Sequence, residues 1–132
     1  MKSPSSARWS ASPVAGSQRG RSLRVPTINL DLSDIPTDLR EGIYACRVTL
    51  EQEDGTTEGP FMAAVHYGPR PVFQDTRSFE IHLIDATPSR FPTRVTIEVI
   101  ARLRAVRDFS SVEALQKQMG KDIAMARKML KE

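Results

Sequence analysis

The feature that most constrains this chain is a series of four strand-like runs, at about 43–51, 59–67, 78–85 and 93–102, with no helical periodicity between them. In the first, Ile43, Ala45 and Leu50 mix with β-branched and aromatic neighbours. The third, Phe79-Glu80-Ile81-His82-Leu83, alternates apolar and polar side chains, so one face is suited to a core and the other is not. Asp54-Gly55 predicts a hairpin between the first two runs. The glycine and two prolines of Tyr67-Gly68-Pro69-Arg70-Pro71 predict a rigid loop between the second and third, and Pro88 and Pro92 mark another. Strands that follow one another without intervening helices pair antiparallel, and the resulting sheet must bury its apolar face by curling or by being covered.

One helical pattern comes last. Ser110-Ser111-Val112-Glu113 predicts a capping box with Ser110 as the N-cap of a helix over about 110–130. Val112, Leu115, Met119, Ile123, Ala126 and Leu130 fall on one stripe of it, with Lys117, Lys121 and Lys128 off the stripe. Met119, Met125 and Met129 are expected to pack against the sheet rather than to serve a cofactor. The order of elements predicts a mainly β fold, a small closed antiparallel β-barrel with a C-terminal helix laid across it.

A chain of 132 residues has room for one domain, expected over 19–132. Residues 1–18 are rich in Ser, Pro, Ala and Gly, with Trp9 as their only aromatic, and are expected to form a disordered basic head with Trp9 exposed or loosely docked. Of the 19 basic side chains, five (Lys2, Arg8, Arg19, Arg21, Arg24) lie in residues 1–30, which hold no acid. The other 14 are set against 16 acidic side chains, so the body is near neutral and offers no broad phosphate-binding face; no nucleic acid is expected as a partner. The lone Cys46 has no partner for an internal disulfide and is expected to pack as a small hydrophobe. No apolar run is long enough for a membrane span or a secretory signal, so a cytoplasmic protein without membrane insertion is expected, and a monomer.

Two short stretches carry the chemistry. Pro26-Thr27-Ile28-Asn29 places a hydroxyl and a carboxamide two residues apart behind a proline that restricts the backbone, as a clamp on a metal and phosphates requires. Glu80 is a single carboxylate among apolar strand neighbours, a setting that aims and partly desolvates a general base. His82 shares its face, and His66 lacks the spacing of a metal cage; both are also readable as structural histidines.

From about Gly20 to Leu130 the chain resembles the riboflavin kinase family, found alone or at the C-terminus of bifunctional FAD synthetases. Gly20-Arg21-Ser22-Leu23-Arg24-Val25-Pro26-Thr27-Ile28-Asn29 is similar to the family's opening Gly-Arg, Gly, aromatic and Pro-Thr-Ala-Asn. Gly42-Ile43-Tyr44 matches its second anchor. Tyr67-Gly68-Pro69-Arg70-Pro71-Val72-Phe73 resembles its Gly-x-Arg-Pro-Thr-Phe loop, and Phe79-Glu80-Ile81-His82-Leu83-Ile84-Asp85 its Glu-x-His strand. Arg102-Leu103-Arg104, Phe109 and the helix from Val112 through Gln118, Asp122 and Ala126-Arg127 complete the match.

The resemblance implies an ATP:riboflavin 5′-phosphotransferase that converts riboflavin to FMN and ATP to ADP with Mg²⁺ or another divalent cation. By similarity, Thr27 and Asn29 hold the metal and Glu80 is the catalytic base. Gly20, Arg21, Pro26, Thr27, Asn29 and His82 would line the ATP site, and Arg104 would lie on the flavin side. The stand-alone form is expected, because no nucleotidyltransferase domain fits in the roughly 20 residues upstream, and with it no FAD synthesis. Several loop residues depart from the family pattern. Arg24 stands in place of a glycine, Ile28 in place of a small residue and Val25 in place of an aromatic; Ala86 to Pro92 replaces Leu-Tyr-Gly, and Arg104-Ala105-Val106 replaces Arg-Asp-Glu. Arg24 would crowd backbone that approaches phosphate. Two alternatives therefore stand beside the kinase: a flavin-binding or regulatory barrel without turnover, and a nucleic-acid-binding barrel using the basic head.

Overall fold

The computed structural model describes residues 7–14, 27–69 and 77–131. Gly20, Arg21, Arg24, Val25 and Pro26 lie outside the described residues, as does the loop from Arg70 to Thr76. Six strands, β1 (Arg8–Ala11), β2 (Thr27–Asn29), β3 (Gly42–Glu51), β4 (Thr57–Pro69), β5 (Arg77–Leu83) and β6 (Arg94–Arg104), precede one helix, α1 (Val112–Leu130). They form one antiparallel sheet in the order β1-β6-β3-β4-β5-β2. Its two end strands are brought together just beyond β1 and β2 by a bridge between Pro13 and Leu30. There Val14 N–H donates to the Asn29 carbonyl at 2.8 Å and Asp31 N–H to the Ser12 carbonyl at 2.9 Å. The sheet thus curls into a half-barrel whose two end strands meet at this one bridge, where the expectation was a fully closed barrel.

Period-2 alternation sorts the strand residues. Tyr44, Cys46, Val48 and Leu50 of β3, Val65 of β4, Phe79, Ile81 and Leu83 of β5 and Val95, Ile97 and Val99 of β6 fill the interior. Cys46 is fully buried there and burial pushes its thiol up, so it packs as the small hydrophobe that the sequence suggested. Ala45 and Ala64, which pair across β3 and β4, point outward with Ile84. Their small side chains let α1 lie close to the sheet through Ala126 and Leu130. An Arg127–Asp85 ion pair (2.8 and 3.0 Å) and the Arg47 guanidinium donating to the Leu130 carbonyl at 3.0 Å hold the helix's last turns.

The head departs from expectation. Residues 8–11 form β1, paired with β6 from Arg8↔Glu98 to Ala11↔Val95, so order reaches well inside the segment 1–18. Trp9 is half-buried and meets Phe79 edge-on at 5.9 Å, while Ser10 and Thr96 share a side-chain hydrogen bond of 2.9 Å. An average over the 18 residues of the head hides a four-residue strand. A barrel needs only Ala11 buried and Trp9 against its core to add a final stave.

The helix also differs in detail. Its N-cap is Ser111 rather than Ser110: Ser111 is extended (φ −155°, ψ 163°) and its hydroxyl accepts from Ala114 N–H at 3.1 Å. Phe109 is held beneath the Arg104 and Arg107 guanidinium groups, so the chain turns at Ser110 and the helix begins one residue later. The sheet-facing line is Asp122, Ala126 and Leu130, which leaves Val112, Met125 and Met129 exposed, contrary to the expected packing of those methionines.

The Asp54-Gly55 turn sits as expected, with Gly55 at φ +88°. Asp54 accepts from the Thr56 hydroxyl (2.7 Å), the Thr56 N–H (3.1 Å) and Arg90 (3.2 Å), which together pull its carboxyl down to about 2. A depressed folded pKa stabilises the fold above the unfolded value of 3.8, and that contribution is lost as pH falls through about 2. Melting curves of the wild type and Asp54→Ala are therefore expected to differ at pH 6 and to converge between pH 4 and 2.

Candidate active site

Two strands distant in sequence bring the singled-out residues together. β2 pairs with β5 so that Thr27 is directly opposite His82 and Asn29 directly opposite Glu80. The intervening Ile28 and Ile81 turn into the barrel, at 2% and 0% exposure, which forces Thr27, Asn29, Glu80 and His82 onto the outer face. Ile28, larger than the residue the family pattern has there, is accommodated because it points into the core. The site accordingly lies on the outside of the barrel wall, with Glu80 and His82 on the side that faces the helix.

β4 extends the pattern. His66 is opposite Glu80, and Ala64 is opposite His82. With Ile43 opposite His66, and Arg104 opposite Ile43, one cross-strand row runs Arg104–Ile43–His66–Glu80–Asn29 across five strands. The first four of these residues line an open cleft between the sheet and the N-terminal half of α1. Leu115, Met119 and Ile123 form its helix wall. A largely apolar cleft with polar groups placed at its two ends, here Glu80 and His82 at one and Arg104 and Asp122 at the other, is a common form of small-molecule site.

His82 connects the clamp and the base. Its Nδ1 is 3.4 Å from Thr27 Oγ1 and its Nε2 is 3.5 Å from Glu80 Oε1, while the Ser78 hydroxyl donates to Glu80 Oε2 at 3.4 Å. Glu80 keeps about a fifth of its side chain exposed, so the carboxylate is aimed and partly dehydrated but still reachable. Asn29 Oδ1 is buried and has no hydrogen-bond partner among the described residues. An orphaned carbonyl oxygen costs about 1–3 kcal/mol, a cost relieved when a cation or a donor arrives. No group of three or more His, Cys, Asp or Glu side chains converges as a metal cage among the described residues.

Arg104 lines the cleft, and its guanidinium is committed to Asp122 in a two-pronged ion pair (2.9 and 2.7 Å). Gln118 donates to the same carboxylate at 3.0 Å and accepts from Arg107 at 3.2 Å, so the segment after β6 is tied to α1. What Arg104 offers the cleft is a fixed planar side chain with its charge largely neutralised. Sequence reasoning named Asp122 only as part of the helix that completes the family match, without a role, and treated His66 as structural. The available signal for His66 was its place opposite Glu80, and that becomes legible only once the β4/β5 register is known. Burial pushes the His66 imidazole pKa down, with the Glu80 charge pulling the other way.

Fold and surface together define a barrel-and-helix domain with its polar site outside the sheet, beside an apolar cleft. The family model for riboflavin kinase (Flavokinase) matches residues 4–130, and the chain belongs to that family. It is 26% identical over 113 residues to a bifunctional riboflavin kinase/FMN adenylyltransferase of Bacillus subtilis (strain 168), covering 83% of this chain and 34% of that protein. It is 28% identical over 117 residues to the RNA-binding riboflavin kinase RibR of the same strain, covering 87% and 47%. The chain thus spans about a third to a half of these relatives. The solved riboflavin kinase of Trypanosoma brucei, at 22% identity, shares the fold with a TM-score of 0.68 over 95% of this chain and 80% of that one.

Proposed function

We propose that this chain transfers the γ-phosphoryl group of ATP to the terminal hydroxyl of riboflavin, forming FMN and ADP with the help of a divalent cation. The observation that carries this reading is the β2/β5 register, which sets the Asn29 carboxamide opposite the Glu80 carboxylate and Thr27 opposite His82. Thr27 Oγ1 and Asn29 Oδ1, the latter without a hydrogen-bond partner among the described residues, are hard oxygen donors that fit Mg²⁺, which takes few protein ligands and completes its shell with phosphate oxygens and water. Such an ion, when bound, neutralises charge on the β- and γ-phosphates. Glu80 accepts the proton of the attacking hydroxyl as the new O–P bond forms and the bond to the ADP oxygen breaks. His82, 3.4 Å from Thr27 and 3.5 Å from Glu80, keeps both in place; this positioning role beside the nucleotide fits its buried setting better than direct phosphate contact.

The intact clamp and base favour turnover over a flavin-binding barrel that has lost it, and the near-neutral body disfavours nucleic acid. No helix among the described residues is long and apolar enough to cross a membrane. Incubation with riboflavin, ATP and MgCl₂, followed by chromatography, is expected to yield FMN, and omission of ATP or addition of EDTA to yield none. Riboflavin bound without any FMN formed would move the assignment to the non-catalytic flavin binder.

A further inference from the structure

Both ring nitrogens of His66 are shut off from solvent and neither has a hydrogen-bond partner among the described residues, although the side chain, 9% exposed, forms part of the cleft wall. A buried imidazole leaves such groups unpaired only at a cost in stability, which points to a partner that the described residues do not supply. Its position says which kind. His66 stands between Ile43 and Glu80 in the cross-strand row, one strand spacing from each, about 4.8 Å. On one side lies the apolar part of the cleft, walled by Ile43, Leu115 and Met119; on the other lies the carboxylate. A ligand with its flat ring in the apolar part and a hydroxyl at Glu80 has to pass its connecting chain over His66.

Resting on the kinase reading above, we infer that His66 is a positioning residue that hydrogen-bonds an internal hydroxyl of the substrate's polyol chain and so sets the reach of the terminal hydroxyl to Glu80. A neutral imidazole carries one donor and one acceptor nitrogen, and a hydroxyl satisfies either. On that side Ile43 separates His66 from Arg104 and Asp122, whose charged groups are already paired with each other. His66 therefore discriminates flavins by what is attached to the ring rather than by the ring itself.

The test compares riboflavin with lumiflavin, which has the same ring system and a methyl group in place of the polyol. Binding is followed by quenching of flavin fluorescence in the wild type, His66→Leu and His66→Asn. His66→Leu, close in volume and without nitrogens, is expected to weaken riboflavin about tenfold, the loss of one neutral hydrogen bond, and to leave lumiflavin unchanged. His66→Asn is expected to recover much of the riboflavin affinity, and neither variant to lower the melting temperature by more than a few degrees. Parallel weakening of both flavins, or no weakening of either, overturns the assignment while leaving the kinase standing. A wild type that neither binds nor phosphorylates riboflavin overturns the kinase reading, and this inference with it.

Discussion

Glu80→Gln is expected to lower the rate of FMN formation by about 10²–10⁴-fold while leaving riboflavin affinity within a few fold of wild type. The substitution keeps the shape of the side chain and an oxygen for the Ser78 hydroxyl, 3.4 Å away, but removes the basic carboxylate. Phe79 and Ile81, at 1% and 0% exposure, hold the strand from the core side, so the backbone has no reason to move. Single-turnover measurements separate chemistry from binding, and a drop confined to chemistry is the signature of a base used in the transition state. A variant that turns over at the wild-type rate would show that positioning alone carries the reaction, and the role given to Glu80 would have to be withdrawn.

Phe79→Ala is expected to cost about 3–5 kcal/mol, a large part of the roughly 5–15 kcal/mol that holds a domain of this kind folded. Phe79 packs edge-on against Trp9 at 5.9 Å and against Tyr67 at 5.6 Å, so its removal opens a cavity shared by β1, β4 and β5. Its carbonyl also accepts from Leu30 N–H at 3.0 Å, just beyond the β2 residues that face the site. Urea unfolding followed by the fluorescence of Trp9, the single tryptophan, is expected to show a lower midpoint in the variant. Catalytic activity is expected to fail at a lower temperature than in wild type, because the register that sets Asn29 opposite Glu80 depends on the same core. An unchanged midpoint would mean that the cavity collapses at little cost.

Much of the architecture was legible because it is repeated along the chain. The alternation of Phe79 and Ile81 with Glu80 and His82 identified β5 and its two faces. The expected strand runs agree with β3, β4, β5 and β6 to within a few residues, and the turn at Asp54-Gly55 was readable from the residues that tolerate it. β1 and β2 were not legible as strands, since segments of four and three residues have too little pattern of their own and are ordered by the edges of the sheet they complete. The methionines misled because a stripe drawn on a helix has no fixed phase until something packs against it. Ala45 and Ala64 chose the line through Ala126 and left Met125 and Met129 in solvent.

The site divides the same way. Residue type and spacing nominated Thr27, Asn29 and Glu80, because phosphoryl transfer needs oxygen donors and an aimed carboxylate whatever the scaffold, while Arg104 came only from the family resemblance. The sequence by itself therefore determined the chemistry available and the period-2 faces on which each strand carries it. Only the tertiary structure decided that Asn29 meets Glu80, that His66 stands one strand away, that Asp122 takes the charge of Arg104, and that Glu80, His66 and Arg104 share one cleft with α1. The reason is physical: periodicity is a local property of the chain. Register between strands some 50 residues apart is set by the curling of the sheet and the packing of its core, which no local pattern encodes.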